Sequence, residues 1–259
     1  SADEAALVRV IARARQLGMG SVVVPQVRLR RGAPDEWRGV LRPRDEGRWW
    51  RSYERFVLRQ ARLSERSGVA VLAIGSELTS LSGDVHAHRW RRLAGKVRRV
   101  YGGKLAFVAN HDALDLQAPF EGVDIAGVSA YFPLATGPEA GEAQMRAAWR
   151  RAAVQLRELS HATGKPVVLF EVGYPSVDGG AVRPWDYTRG TVIDLEEQAL
   201  AYRVCVDTVL DADFIHGAFF WNWFGRGGPF DRHYTPRGKP ALEQVRRLLA
   251  ARAALQPLP

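Results

Sequence analysis

The sequence predicts an α/β fold, a TIM-type (β/α)8 barrel, and three observations carry that prediction. Short, nearly continuous apolar runs alternate with stretches of helical periodicity, the pattern of parallel strands covered on both faces by crossover helices. No Gly-x-Gly-x-x-Gly or Walker loop follows any of the runs, which argues against a doubly wound nucleotide-binding sheet. Polar and aromatic residues stand instead at the C-terminal ends of the runs, namely Glu77, Asn110, Tyr131, Glu171 and Trp221, and that is the end at which a barrel keeps its site. A closed barrel of this type has eight strands, whereas only six runs are found.

In chain order, Ser1 with Glu4 forms a capping box opening a helix in which Leu7, Ile11 and Ala14 share a face, and Gly18 stands at its C-terminal cap. Apolar runs over 22–27, 69–76, 105–110, 124–131, 166–172 and 217–223 predict the strands. Between them, Trp49, Tyr53, Phe56 and Leu63 recur at helical spacing within 49–67, and an Arg-rich helix over 84–101 stops at Gly102-Gly103. The longest helix covers 139–163. Asp194 with Glu197 caps the next, which carries Leu195, Ala199, Tyr202, Val206 and Val209, and a helix over 239–255 closes the chain. Residues 111–122 are too few, and interrupted by Pro119, for a full crossover helix. With no repeat or linker, residues 1–259 read as a single domain.

Composition narrows the function classes. At 259 residues, 46% apolar and 25% charged, the chain can bury a core of its own, which excludes disorder. The single Cys205 closes no intrachain disulfide, and no Cys/His cluster has zinc spacing, so the reading includes neither metal nor cofactor. No run approaches the ~20 apolar residues of a membrane span. The chain reads as soluble; a leader removed earlier would leave no trace, so a secreted or periplasmic address stays open. A net charge of +9 raises nucleic acid as a partner, but only Lys96, Lys104, Lys165 and Lys239 are lysines. The arginines are scattered and no binding motif accompanies them, so no nucleic acid is expected.

The informative acidic residues are Glu77 and Glu171, each ending an apolar run. Either alone reads equally as a turn cap or a partner for one of the many arginines. Two at strand ends, three strands apart, suit the paired carboxylates of glycoside hydrolysis.

On these residues the sequence resembles the clan A glycoside hydrolases, (β/α)8 barrels with the acid/base Glu after the fourth strand and the nucleophile after the seventh. More narrowly it resembles family 113, the β-1,4-mannanase-like group, in five strings that occur in the right order: Trp49-Trp50-x-x-Tyr53, Ile74-Gly75-Ser76-Glu77-Leu78, Ile125 to Pro133, Phe170-Glu171-Val172-Gly173-Tyr174 and Pro236 to Ala241. The resemblance makes the run over 22–27 the third strand. It implies that the first two strands lie upstream of residue 1 or are supplied by a second chain. It also implies retaining hydrolysis of a β-linked polysaccharide. Glu171 attacks the anomeric carbon while protonated Glu77 donates to the departing oxygen, and Glu77 then takes a proton from water.

A carbohydrate substrate presents hydroxyls and a C–H face suited to aromatic rings. By resemblance, Trp221 floors the subsite of cleavage and Tyr131 approaches the nucleophile, although Trp221 also reads as a core aromatic. Trp223 points the same way by strand alternation. Asn110 and Gln26 are candidate hydroxyl binders or loop caps, and Ser76 stands where many clan members place Asn, a shorter donor suited to water bridging or a different sugar. His86 and His88 read as solvated, His111-Asp112 as a surface turn. Residues 225–236, with Arg226, Asp231, Arg232 and His233, read as a solvated loop or a binder of charged sugar. No Gly-x-Ser-x-Gly elbow is present, and Cys205 lies on the apolar side of a helix. The competing reading is a noncatalytic carbohydrate-binding or assembly protein on a glycosidase-like barrel.

Overall fold

A computed structural model describes residues 2–29, 36–188 and 190–253. Among the described residues six α-helices and six strands follow one another: α1 (Ala2–Gln16), β1 (Val22–Val23), α2 (Glu46–Ser67), β2 (Val71–Ser76), α3 (Ala87–Arg98), β3 (Lys104–Asn110), β4 (Ile125–Ser129), α4 (Glu142–Thr163), β5 (Val167–Val172), α5 (Leu195–Asp211), β6 (Ile215–Phe220) and α6 (Ala241–Ala253), alternating except between β3 and β4, which a 3₁₀ turn joins. The strands form one sheet in chain order, and β1–β2, β2–β3 and β5–β6 pair in parallel. This is the α/β class that the alternating runs predict. Contacts divide the chain into two compact units, Ser1–Gly127 with Ala162–Lys165, and Val128–His161 with Pro166–Pro259.

The first unit is built on aromatic rings. From α2, Trp50, Tyr53, Val57 and Ala61 form one buried stripe, and Trp90, Leu93, Ala94 and Val97 do the same on α3. Trp50 meets Trp90 edge-on at 5.0 Å, Trp90 meets Phe107 at 5.0 Å, and Phe107 meets Phe120 at 5.5 Å. Tyr53 donates its O–H to Ile74 O at 2.8 Å, so the Trp49-Trp50-x-x-Tyr53 string braces β2 from behind. Asp45 caps α2 by accepting from Arg48 N at 2.8 Å, and Gly68 ends it at φ +67°.

In the second unit, α4 buries Met145, Ala148, Trp149, Ala152 and Leu156. Asp194 caps α5 as expected, accepting from Glu197 N at 2.8 Å. The Glu197 carboxylate, however, accepts from Gly179 N and Ala181 N at 2.7 and 2.8 Å, tying the loop after β5 to the helix. Burial pushes Glu197 above the ordinary carboxylate range, and the two amides oppose that.

Several expected boundaries move. The first strand stops at Val23 instead of 27, because Pro25 has no N–H to give a ladder. The last covers Ile215–Phe220, so Trp221 and Trp223 lie beyond it and strand alternation does not apply to them. The Arg-rich segment is a 3₁₀ turn, Asp84–His86, followed by α3. Gly18 has the positive φ of a C-terminal cap, +72°, while Ser1 lies outside the described residues. No described helix is long and apolar enough to cross a membrane.

Candidate active site

In the first unit, Glu77 follows β2 directly. Its φ of +52° is in the left-handed region, which costs a residue with a Cβ roughly 1–2 kcal/mol. Its N–H donates to Val108 O at 2.8 Å, so the chain turns sharply while still tied to β3. Packed residues enforce the turn. A Cβ on Gly75 would come within 2.7 Å of the Phe107 ring and 2.8 Å of Trp90, and Trp90 donates Nε1–H to Leu81 O at 2.8 Å. The Glu77 side chain is 7% exposed, and Arg38 Nη2 lies 2.7 Å from its Oε2. Arg38 belongs to a 3₁₀ turn, Arg38–Val40.

Glu77 and Asn110 line one recess with Leu78, Phe107 and Ala109. Asn110 donates Nδ2–H to Asp112 Oδ1 at 2.7 Å, the loop-cap behaviour expected as its alternative. Ser76 is buried in β2, and its Oγ has no hydrogen-bond partner among the described residues. Gln26 is half-buried in the stretch after β1.

In the second unit, Glu171 is the fifth residue of β5, inside the strand and half-buried. Ala130 N donates to its backbone carbonyl at 2.6 Å. Tyr131, two residues past β4, donates its O–H to Glu171 Oε2 at 2.9 Å, so the structure joins these two predicted residues. Trp221 N donates to Val172 O at 2.8 Å. A Cβ on Gly173 would lie 1.9 Å from Trp221 O, so only glycine lets these two backbones pass. Trp221 is half-buried, and its ring meets Phe224 edge-on at 5.9 Å. Trp223 is 50% exposed.

The remaining sequence candidates divide. His86 is buried instead of solvated, beside the Trp50 ring and 3.8 Å from Glu46 Oε2, whereas His88 is exposed. His111 sits in a turn, and burial pulls its imidazole below the ordinary range against the charge of Asp112. Arg226 and Arg232 are exposed as a solvated loop requires. Asp231 is not: it pairs with the buried Lys239 at 2.8 Å. Cys205 is buried, and burial pushes its thiol up, away from nucleophilic use. Sequence reasoning missed Arg38, whose partner is distant in sequence, and Tyr234, whose ring lies edge-on to Tyr131 at 6.4 Å.

The profile of Glycoside Hydrolase Family 113 matches residues 1–232. Among solved structures, the chain is similar to the family 113 β-mannanase AaManA from Alicyclobacillus acidocaldarius in complex with ManMIm. That match has 27% identity and a TM-score of 0.83 over 96% of this chain and 78% of that one. A second family 113 β-1,4-mannanase shares the fold at 22% identity and TM-score 0.81, over 97% and 79%. A fungal β-1,4-galactanase does so more distantly, at 15% identity and TM-score 0.54, over 88% and 76%. No curated protein sequence matches.

Proposed function

We propose that this chain, which belongs to glycoside hydrolase family 113, cleaves β-linked mannan-type polysaccharide with retention, using Glu171 as nucleophile and Glu77 as acid/base. The glycoside hydrolase activity follows from the family match and the mannanase neighbours; substrate, stereochemistry and residue roles are our reading. Mannan is favoured because AaManA is a β-mannanase.

The observation that carries the reading is the Tyr131–Glu171 hydrogen bond at 2.9 Å. A neutral O–H donor fixes the carboxylate without neutralising it, which suits an attacking group that must stay negative until it bonds to carbon. Glu77 has a different task. It gives a proton to the departing oxygen and recovers one from water, so it passes through both charge states. Arg38 Nη2 at 2.7 Å holds Oε2, which leaves Oε1 as the oxygen to exchange the proton. Retention further expects carboxyl groups ~5–5.5 Å apart in the working enzyme, against ~6.5–9.5 Å for inversion.

Purified protein should be assayed on a panel of β-glycans beside Glu171→Ala and Glu77→Gln, with the anomer first released read by NMR. The reading expects the β-anomer, loss of about 10²–10⁴-fold in kcat for Glu77→Gln and a larger loss for Glu171→Ala. The ion pair that engages Glu77 in the structure favours the competing noncatalytic reading. Binding without hydrolysis by the parent protein would replace our proposal with it.

A further inference from the structure

The second unit contains a charged cluster for which hydrolysis has no evident use. The Lys239 side chain is fully buried. Its ammonium spends its three protons on Ser176 Oγ at 2.8 Å, Asp231 Oδ1 at 2.8 Å and His233 O at 2.7 Å. Ser176 donates onward to Asp231 O at 2.7 Å, and Asp231 accepts from His233 N at 2.9 Å. Burial holds the lysine below its ordinary pKa, while Asp231 pulls the other way. A buried ion pair adds little net stability over apolar packing, but it fixes geometry wherever all its partners are satisfied.

What it fixes is the segment leading to Tyr234. Gln198, from α5, donates Nε2–H to Tyr174 O at 2.8 Å and Tyr234 O at 3.2 Å. The Tyr234 O–H donates to Pro184 O at 2.7 Å, which clamps the far end of the ring. That ring then touches the candidate nucleophile's surroundings twice. It lies edge-on to Tyr131 at 6.4 Å, and its Cδ1 is 3.3 Å from where a Cβ on Gly173 would stand, two residues past Glu171.

We propose that Tyr234, locked by the Lys239 cluster, is a positioning residue that holds the Tyr131 hydroxyl on Glu171. The proposal rests on the reading of Glu171 as nucleophile. Its chain of contact runs from Lys239 through His233 and Tyr234 to Tyr131, so Tyr234 acts through Tyr131. Lys239, Asp231 and Ser176 thereby act on catalysis through packing and not through their charge.

The test uses the full chain with Tyr234→Leu, Tyr234→Phe and Lys239→Met. It measures kcat, KM, Tm and the rate at which a 2-deoxy-2-fluoro-mannosyl fluoride labels Glu171 per folded molecule. Tyr234→Leu should slow labelling and kcat together by roughly tenfold to a hundredfold, the scale of a small misplacement, with KM within about twofold. Tyr234→Phe, which keeps the ring, should recover most of that loss, and Lys239→Met should fall between. Labelling at the parental rate by Tyr234→Leu, with only Tm lowered, would show a purely structural role and overturn the proposal. If the parent protein is neither labelled nor active, the nucleophile reading fails instead. The positioning claim is then judged by ¹⁹F NMR of 3-fluorotyrosine at 131, whose resonance should shift in Tyr234→Leu and whose constancy would sink it.

Discussion

Glu77 directly follows one parallel strand and Glu171 lies inside another, and their surroundings are built from different materials. Glu77 stands on a strained backbone at φ +52°, over a core of rings, with a guanidinium against one oxygen. Glu171 stays within β5, where the pairing with β6 shifts register between Leu169 and Val172, and the Tyr131 phenol donates to its Oε2. A guanidinium meets one carboxylate, and a phenol donates to the other. On the roles proposed above, a phenol donor suits a carboxylate that attacks carbon, whereas one that exchanges a proton can keep a cation on one oxygen while the other does the exchange. Strain fits the same division, because a side chain aimed out of a strand end needs a turn that Glu171, already projecting from the sheet, does not.

The largest effect is expected at the Glu171 end. Gly173→Ala would drive a Cβ to within 1.9 Å of Trp221 O, a backbone atom with no rotamer to yield. Urea unfolding should show a loss of at least about 3 kcal/mol, the upper range for overpacking. A loss under about 1 kcal/mol would mean that the Glu171 strand and Trp221 are not rigidly joined. A smaller effect is expected at the strained end. Arg38→Met, Glu77→Gln and the double variant form a cycle in which the coupling should be about 2 kcal/mol, since both side chains are largely buried. Coupling below about 0.5 kcal/mol would mean that Arg38 does not hold Glu77, and the contrast between the two carboxylates would narrow to backbone strain alone.

Legibility in the sequence follows the same line between regular and irregular structure. Both carboxylates are marked by continuous apolar runs, and α2 and α5 by residues spaced three and four apart, because these signals are local. Tyr131 reached Glu171 through resemblance, and the structure supplies the bond. What the sequence could not show depends on contacts between distant segments. Arg38 meets Glu77 only after a 3₁₀ turn brings it there. Lys239 reads as a helix start, yet α6 begins at Ala241 and the lysine is buried among loops. His86 reads as solvated, but the rings packed behind β2 cover it. Trp221 and Trp223 mimic a strand by composition, although the chain leaves the sheet at Phe220.

The smallest effect separates the clamp's charge from its geometry. Asp231 is held below the ordinary carboxylate range: burial would raise it, but the Lys239 ammonium and the His233 N–H outweigh that. Its folded value is therefore below its unfolded one. The stability it contributes is present above the unfolded value, about 3.9, and is lost as pH falls through the folded value. Asp231→Asn keeps an oxygen for both donors while removing the charge, so the loss at pH 7 should be only about 1 kcal/mol. The unfolding curve of the variant should also be flatter than the parent's below pH ~4, where the parent alone still has this carboxylate to protonate. If the two curves run parallel there, the carboxylate's charge contributes nothing. The cluster that holds Tyr234 would then be fixed by hydrogen-bond geometry alone.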